Sequence, residues 1–155
     1  DGKARHEFTG RFSTFRLSIG GRPGHSKYAP RIAATVTHQV SLIREGIIEV
    51  EYFGTTSYFD RAQALDALNI DTARPGTKRV LVNFLGANVV GDDDGARLDF
   101  IAKAITHPLL ENCCVALVGL AHIHAYPAET AGIIRQIKVR TFERRDDAIL
   151  WLLGD

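Results

Sequence analysis

The chain has 155 residues, enough to bury a full core in one domain, and its 45% apolar and 24% charged content is that of a soluble globular protein, not a disordered or disulfide-stapled one. The net charge of +1 conceals an uneven split: the first 31 residues hold seven of the 19 Lys and Arg but only two of the 18 Asp and Glu. The remainder is mildly acidic and offers no broad basic face for nucleic acid.

Residues 1–35 stand apart. "RPGHSKYAP" is turn and linker chemistry, and "EFTGRFSTFRLSIGG" fits neither a helical nor a strand period well. This stretch is expected to be a flexible basic N-terminal arm, or a segment carried over from expression, with 36–155 as the folded domain. A basic, aromatic segment also suits an acidic membrane surface or a targeting peptide.

From there the signals alternate. "ATVTHQVSLI" and "GIIEVEYFG" are β-branched runs joined at "REG", the pattern of a hairpin. "SYFDRAQALDALNI" predicts a helix with Phe59, Ala62, Leu65 and Leu68 on its inner side. "RVLVNFLGA" reads as a strand buried on both faces. A helix follows over 92–106, limited by Pro108. "CCVALVGL" is another buried strand, with Cys113 and Cys114 as small hydrophobes in a reducing cytosol, since neighbours on a strand point apart and are poorly placed to pair. "PAETAGIIRQI" predicts a helix starting at Pro127 and burying Ile133, Ile134 and Ile137. "KVRTFE" is the last strand, and "DDAILWLL" closes the chain as a helix with Trp151 in the core. Strands and helices in this order call for an α/β domain with a largely parallel sheet. No apolar run approaches the ~20 residues of a membrane span, so no integral membrane segment and a cytoplasmic location are expected.

The tail "KVRTFERRDDAILWLL", a strand ending in Phe, a charged turn, then Ala and Trp-Leu, resembles the C-terminal signature of the SpoIIAA-like branch of STAS domains. "GIIEVEYFGTTSYFDRAQAL" is similar to that family's glycine-led strand, turn and first helix. The resemblance spans about 36–155. It implies a single STAS-like domain with a four- or five-stranded mixed sheet and helices mainly on one face, related to anti-anti-sigma factors and to lipid-carrying CRAL-TRIO domains. Anti-anti-sigma factors place a phosphorylatable Ser where this chain has "NVVGDDDG". With no Ser or Thr between Ala87 and Phe100, that switch is not expected here.

Asp92, Asp93 and Asp94 are consecutive, so their carboxylates diverge, and no distant Glu completes a calcium loop. They suit the capped, partly positive start of a helix. His122 and His124 in "AHIHAY" form an H-x-H pair, and in an extended segment both would point the same way at the carboxyl end of the sheet. A zinc site would need a third ligand such as His107 or Asp94, and spacing fixes none, so loop histidines without a metal are expected. No G-x-S-x-G elbow or Walker loop is present.

Helix 92–106 carries the remaining anomaly. At 100° per residue Leu98, Ile101, Ala102 and Ile105 share one face, and Phe100 falls opposite, beside Asp99 and Lys103. Two roles follow. The domain holds a small lipophilic ligand as carrier or sensor under a movable helix, with Leu98, Ile101 and Ile105 lining the pocket. Alternatively it is a protein-interaction or regulatory module, with Phe100 as the anchor for a protein partner or a second subunit. A metal-dependent hydrolase using His122, His124 and an Asp is a distant third. No catalytic residue, metal or cofactor is expected.

Overall fold

A computed structural model describes residues 36–43, 46–68, 79–91 and 94–154. All lie in one compact unit, Ala34–Asp155. The expected arm at 1–35 lies outside the described residues.

The elements follow in the order β1 (His38–Leu42), β2 (Ile47–Thr56), α1 (Tyr58–Ala67), β3 (Arg79–Val89), α2 (Asp94–Thr106), a 3₁₀ turn (Pro108–Leu110), β4 (Cys114–Val118), α3 (His122–Arg135), β5 (Lys138–Phe142) and α4 (Arg145–Gly154). The five strands form one sheet in sequence order. β1 pairs antiparallel with β2, giving the hairpin expected from the sequence. β2, β3, β4 and β5 are mutually parallel. In such a sheet each crossover needs a covering element, and α1, α2 and α3 supply it on one face.

Alternation along the strands sorts the core into two layers. Ile48, Val50, Tyr52, Val80, Phe84, Val115 and Leu117 face α1, α2 and α3. Ile47, Leu81, Ala116 and Val118 face α4 through Ala148 and Leu152. Three helices on one side and one on the other make the mixed, mainly one-faced sheet. Trp151 is half-buried, tilted against Phe142 at 5.5 Å, and Ala148 and Leu152 are the residues of α4 that the core encloses.

The helix faces differ from the periodicity in three places. On α1, Tyr58 and Arg61 join Ala62 and Leu65 inside, and Phe59 is exposed. On α2, Phe100 and Ala104 are buried, Ile101 and Ile105 are half-buried, and Leu98 faces solvent. α3 starts at His122, not Pro127, so Pro127 lies inside it. Ala125, Ala131 and Gly132 face the sheet, and Ile133 and Ile134 are exposed. The cause is proximity. A Cβ on Gly132 would overlap the Cγ2 methyl of Val139 on β5, so no side chain fits at that position of α3.

Candidate functional site

The parallel strands start in register, and β2 and β3 run on to Thr56 and Val89 beyond the Asn83–Val118 pair that ends β4. α1, α2 and α3 each begin after the carboxyl end of the strand before it. This is where open α/β sheets gather ligands. α1 is fixed there by a capping box. Asp60 accepts hydrogen bonds from the Ser57 amide (2.9 Å) and hydroxyl (2.6 Å), and Ser57 Oγ accepts from the Asp60 amide. Thr37 on the neighbouring segment donates to the same carboxylate at 3.1 Å. Burial pushes the Asp60 carboxyl up, but the Ser57 and Thr37 hydrogen bonds, with His38 nearby, hold it below its ordinary value.

Behind this rim lies the least expected residue of the domain. Arg61 is 2% exposed, and its guanidinium sits among three rings: 4.5 Å from the centre of Phe100, 4.6 Å from Tyr58 and 5.3 Å from Phe84. Its Nη1 donates to the backbone carbonyl of His124 at 3.1 Å. One side chain thereby ties α1 to α2, α3 and β3. Cation–π contacts of about 2 kcal/mol when desolvated offset part of the several kcal/mol that burying a charge costs. Tyr52 stacks on Phe84 at 4.7 Å, and burial pushes its hydroxyl pKa up, with the Arg61 charge pulling the other way. Sequence reasoning missed Arg61, although it stands four residues before Leu65 and seven before Leu68, on the inner face of α1.

The interior between the sheet and the helices contains an apolar gap lined by Arg61, Leu65, Phe84, Phe100, Ala104 and Leu117 among others. Its whole envelope, counting space that opens to solvent, is about 630 Å³, but a water-sized molecule has room in only about 70 Å³ of it. Ligand pockets are roughly 300–1,000 Å³. From α2 the gap is lined by Phe100 and Ala104, not by Leu98, Ile101 and Ile105.

The remaining candidates are dispersed. Asp94 is exposed and pairs with Arg97 at 2.8 Å; Asp92 and Asp93 lie outside the described residues. His122 and His124 occupy the first turn of α3, where residues two apart diverge by about 200°, so the expected side-by-side H-x-H arrangement does not form. His107 lies at the opposite end of α2, where its Nδ1 accepts from the Leu109 amide at 3.3 Å. Asp94 and Thr106 are separated by twelve residue steps of helix, about 18 Å. Among the described residues no three His, Cys, Asp or Glu side chains gather to hold a metal. Cys113 is buried, its Sγ donating to the Leu109 carbonyl at 2.7 Å, and Cys114 is half-buried. No helix of the described residues is long and apolar enough to cross a membrane.

No family model matches the sequence, and no curated protein does. A solved structure does match: an uncharacterized protein from the DUF3478 family with a SpoIIAA-like fold, from Shewanella loihica PV-4. It gives a TM-score of 0.51 at 18% identity, covering 74% of this chain and 91% of that one. The fold is SpoIIAA-like. The anti-sigma factor antagonist SpoIIAA in its unphosphorylated form also matches, with a TM-score of 0.42 and 12% identity over 76% of this chain and 99% of that one. Within the SpoIIAA-like domain, the carboxyl-end rim is marked by exposed apolar side chains. Phe59, Leu98 and Ile123 each project within the first five residues of α1, α2 and α3.

Proposed function

We propose that residues 36–155 form a non-catalytic, cytoplasmic interaction module that docks a protein partner at the carboxyl end of its sheet. The observation that carries this reading is the rim itself. Three successive helices each expose a large apolar side chain, Phe59, Leu98 and Ile123, within their first five residues, on the side of the domain where the strands end. In this reading Leu98 contacts the partner instead of lining a ligand pocket, and Phe100, buried at 7% exposure, belongs to the core.

The carrier reading is supported less well. A gap with room for only about 70 Å³ does not hold an acyl chain, and the helix that would have to lift is fastened through Phe100 to the Arg61 cage. The test places a photoreactive amino acid at Leu98 or, as control, at exposed Leu150 on α4, and irradiates the protein in cell extract. A discrete adduct from position 98 that is absent from position 150 is the expected result. Equal labelling from both positions, or a lipid released by organic extraction of freshly purified protein in stoichiometric amount, would overturn the proposal.

A further inference from the structure

α3 has a second apolar face. Its small residues meet the sheet, and on the solvent side Ile123, Tyr126, Thr130, Ile133 and Ile134 fall within an arc of about 100°. The four large side chains of this stripe are 57–79% exposed. The Thr130 hydroxyl donates to the Tyr126 carbonyl at 2.8 Å and so is already satisfied. From Ile123 to Ile134 the stripe runs about 16 Å, three helical turns. It contains no charged residue, and the flank formed by His122, Glu129 and Gln136 has no Lys or Arg. An anionic lipid surface, which selects basic flanks, is a poor match.

We infer that this stripe is the contact face of a homodimer, with α3 of one copy packed antiparallel against α3 of the other. The inference rests on the reading of the domain as an interaction module and gives it a second surface, which shares only Ile123 with the carboxyl-end rim.

A two-fold interface must match itself, with residue i on j and j on i. This stripe does so about a centre near Thr130: reversed, Ile123 meets Ile134 of the second copy, Tyr126 meets Ile133, and the small Thr130 lies beside the axis where the helices come closest. Opposed helix dipoles favour the same orientation. The β-branched isoleucines are stiff at χ1 and lose little freedom on contact. The four large side chains offer roughly 500 Å² per copy on the scale of the 150–250 Å² of an aromatic. Covering all of it in both copies would bury about 1,000 Å² from these side chains, at the lower bound for a specific interface. A reversible dimer in the micromolar range is expected.

Sedimentation of the full chain over micromolar concentrations should show a monomer–dimer equilibrium. Ile133→Glu should weaken association about tenfold or more, because it brings two unpaired carboxylates into the contact, and Leu150→Glu should leave it unchanged. Ile133 faces solvent in the single copy, so the Ile133→Glu variant should keep the wild-type circular dichroism. Under mild oxidation Thr130→Cys should link two chains through residue 130, identified by peptide mass, and Ile123→Cys should not link to itself. A wild type that is monomeric throughout overturns the inference. So does a dimer that survives Ile133→Glu, or one in which Ile123→Cys links as readily as Thr130→Cys. A monomer that still yields the discrete adduct from position 98 overturns this inference alone. Loss of that adduct with the dimer intact overturns only the carboxyl-end reading.

Discussion

The guanidinium of Arg61 lies 4.5 Å from the centre of the Phe100 ring, a contact that joins α1 to α2 across the closed side of the sheet. Phe100 also meets the Tyr58 ring at 5.9 Å and is 7% exposed. Truncating such a residue removes buried area and leaves a cavity beside a charge. Phe100→Ala should cost about 3–5 kcal/mol. Leu98→Ala, two residues earlier on the outer face, should stay within about 0.5 kcal/mol of wild type. Urea denaturation of both variants checks this, and equal losses would contradict the burial of Phe100 and the exposure of Leu98.

The cage also predicts how Arg61 tolerates change. Its stem fills space among Tyr58, Phe84 and Phe100, while its charge has been taken out of water. Replacing buried ions with apolar groups of similar volume is often neutral or stabilising, whereas leaving a hole is not. Arg61→Met should remain within about 1 kcal/mol of wild type, and Arg61→Ala should lose about 2–5 kcal/mol. If Met proves as damaging as Ala, the charge itself holds the helices together.

The hairpin and the order of strands and helices along the chain are legible because β-branched runs and punctuating Gly and Pro are local signals. The helix faces are less so. Periodicity at α2 and α3 is read on the premise that large side chains turn inward, but α3 meets the sheet with Ala125, Pro127, Ala131 and Gly132, and Ile133 and Ile134 turn out. Phe100 is inside because Arg61 and Tyr58, some forty residues earlier, provide its pocket, and no window around residue 100 contains that information. Arg61 stood at an inward position of α1 and was hidden by its charge. Glu49 occupies an alternate, nominally polar position of β2 and is buried because Arg145 of α4, 96 residues later, covers it. The expected H-x-H pair depended on an extended backbone, and the helix that replaced it begins five residues before Pro127.

Gly132 gives a local test of the close packing under α3. Gly→Ala inside a helix ordinarily gains about 0.5–1 kcal/mol. Here the added methyl would overlap Val139 Cγ2 and lie 3.3 Å from its Cβ and 3.4 Å from the Ile137 carbonyl oxygen. Gly132→Ala should therefore lower stability by about 1–3 kcal/mol, the usual cost of overpacking. Adding Val139→Ala should recover part of the loss, because it removes the methyl in the way. Additive losses in the double variant would mean that the two residues do not touch.

Acid sensitivity should come from two groups in separate pH windows. Arg145 holds the Glu49 carboxylate through Nε at 2.8 Å and Nη2 at 2.6 Å, and Asn83 adds a bond at 3.2 Å. The Arg145 hydrogen bonds, opposed by burial and aided by Asn83, keep the Glu49 carboxyl below its usual 4.5. Below that pH the unfolded chain takes up the proton first, so the stability this pair contributes above about pH 4.5 is lost as pH falls toward the folded value. Glu49→Gln should melt lower than wild type at neutral pH, and the gap should close in acid. His38 behaves as a base whose charged form the fold disfavours. Burial lowers it from 6.5, with Asp60 opposing, and its buried Nδ1 has no hydrogen-bond partner. Wild type should therefore begin to lose stability just below pH 6.5, where the unfolded chain protonates and the folded one does not. His38→Phe should stay flat through that window. Melting temperatures of wild type and both variants between about pH 7 and 3 separate the two effects; parallel curves for all three would show that neither group is linked to folding.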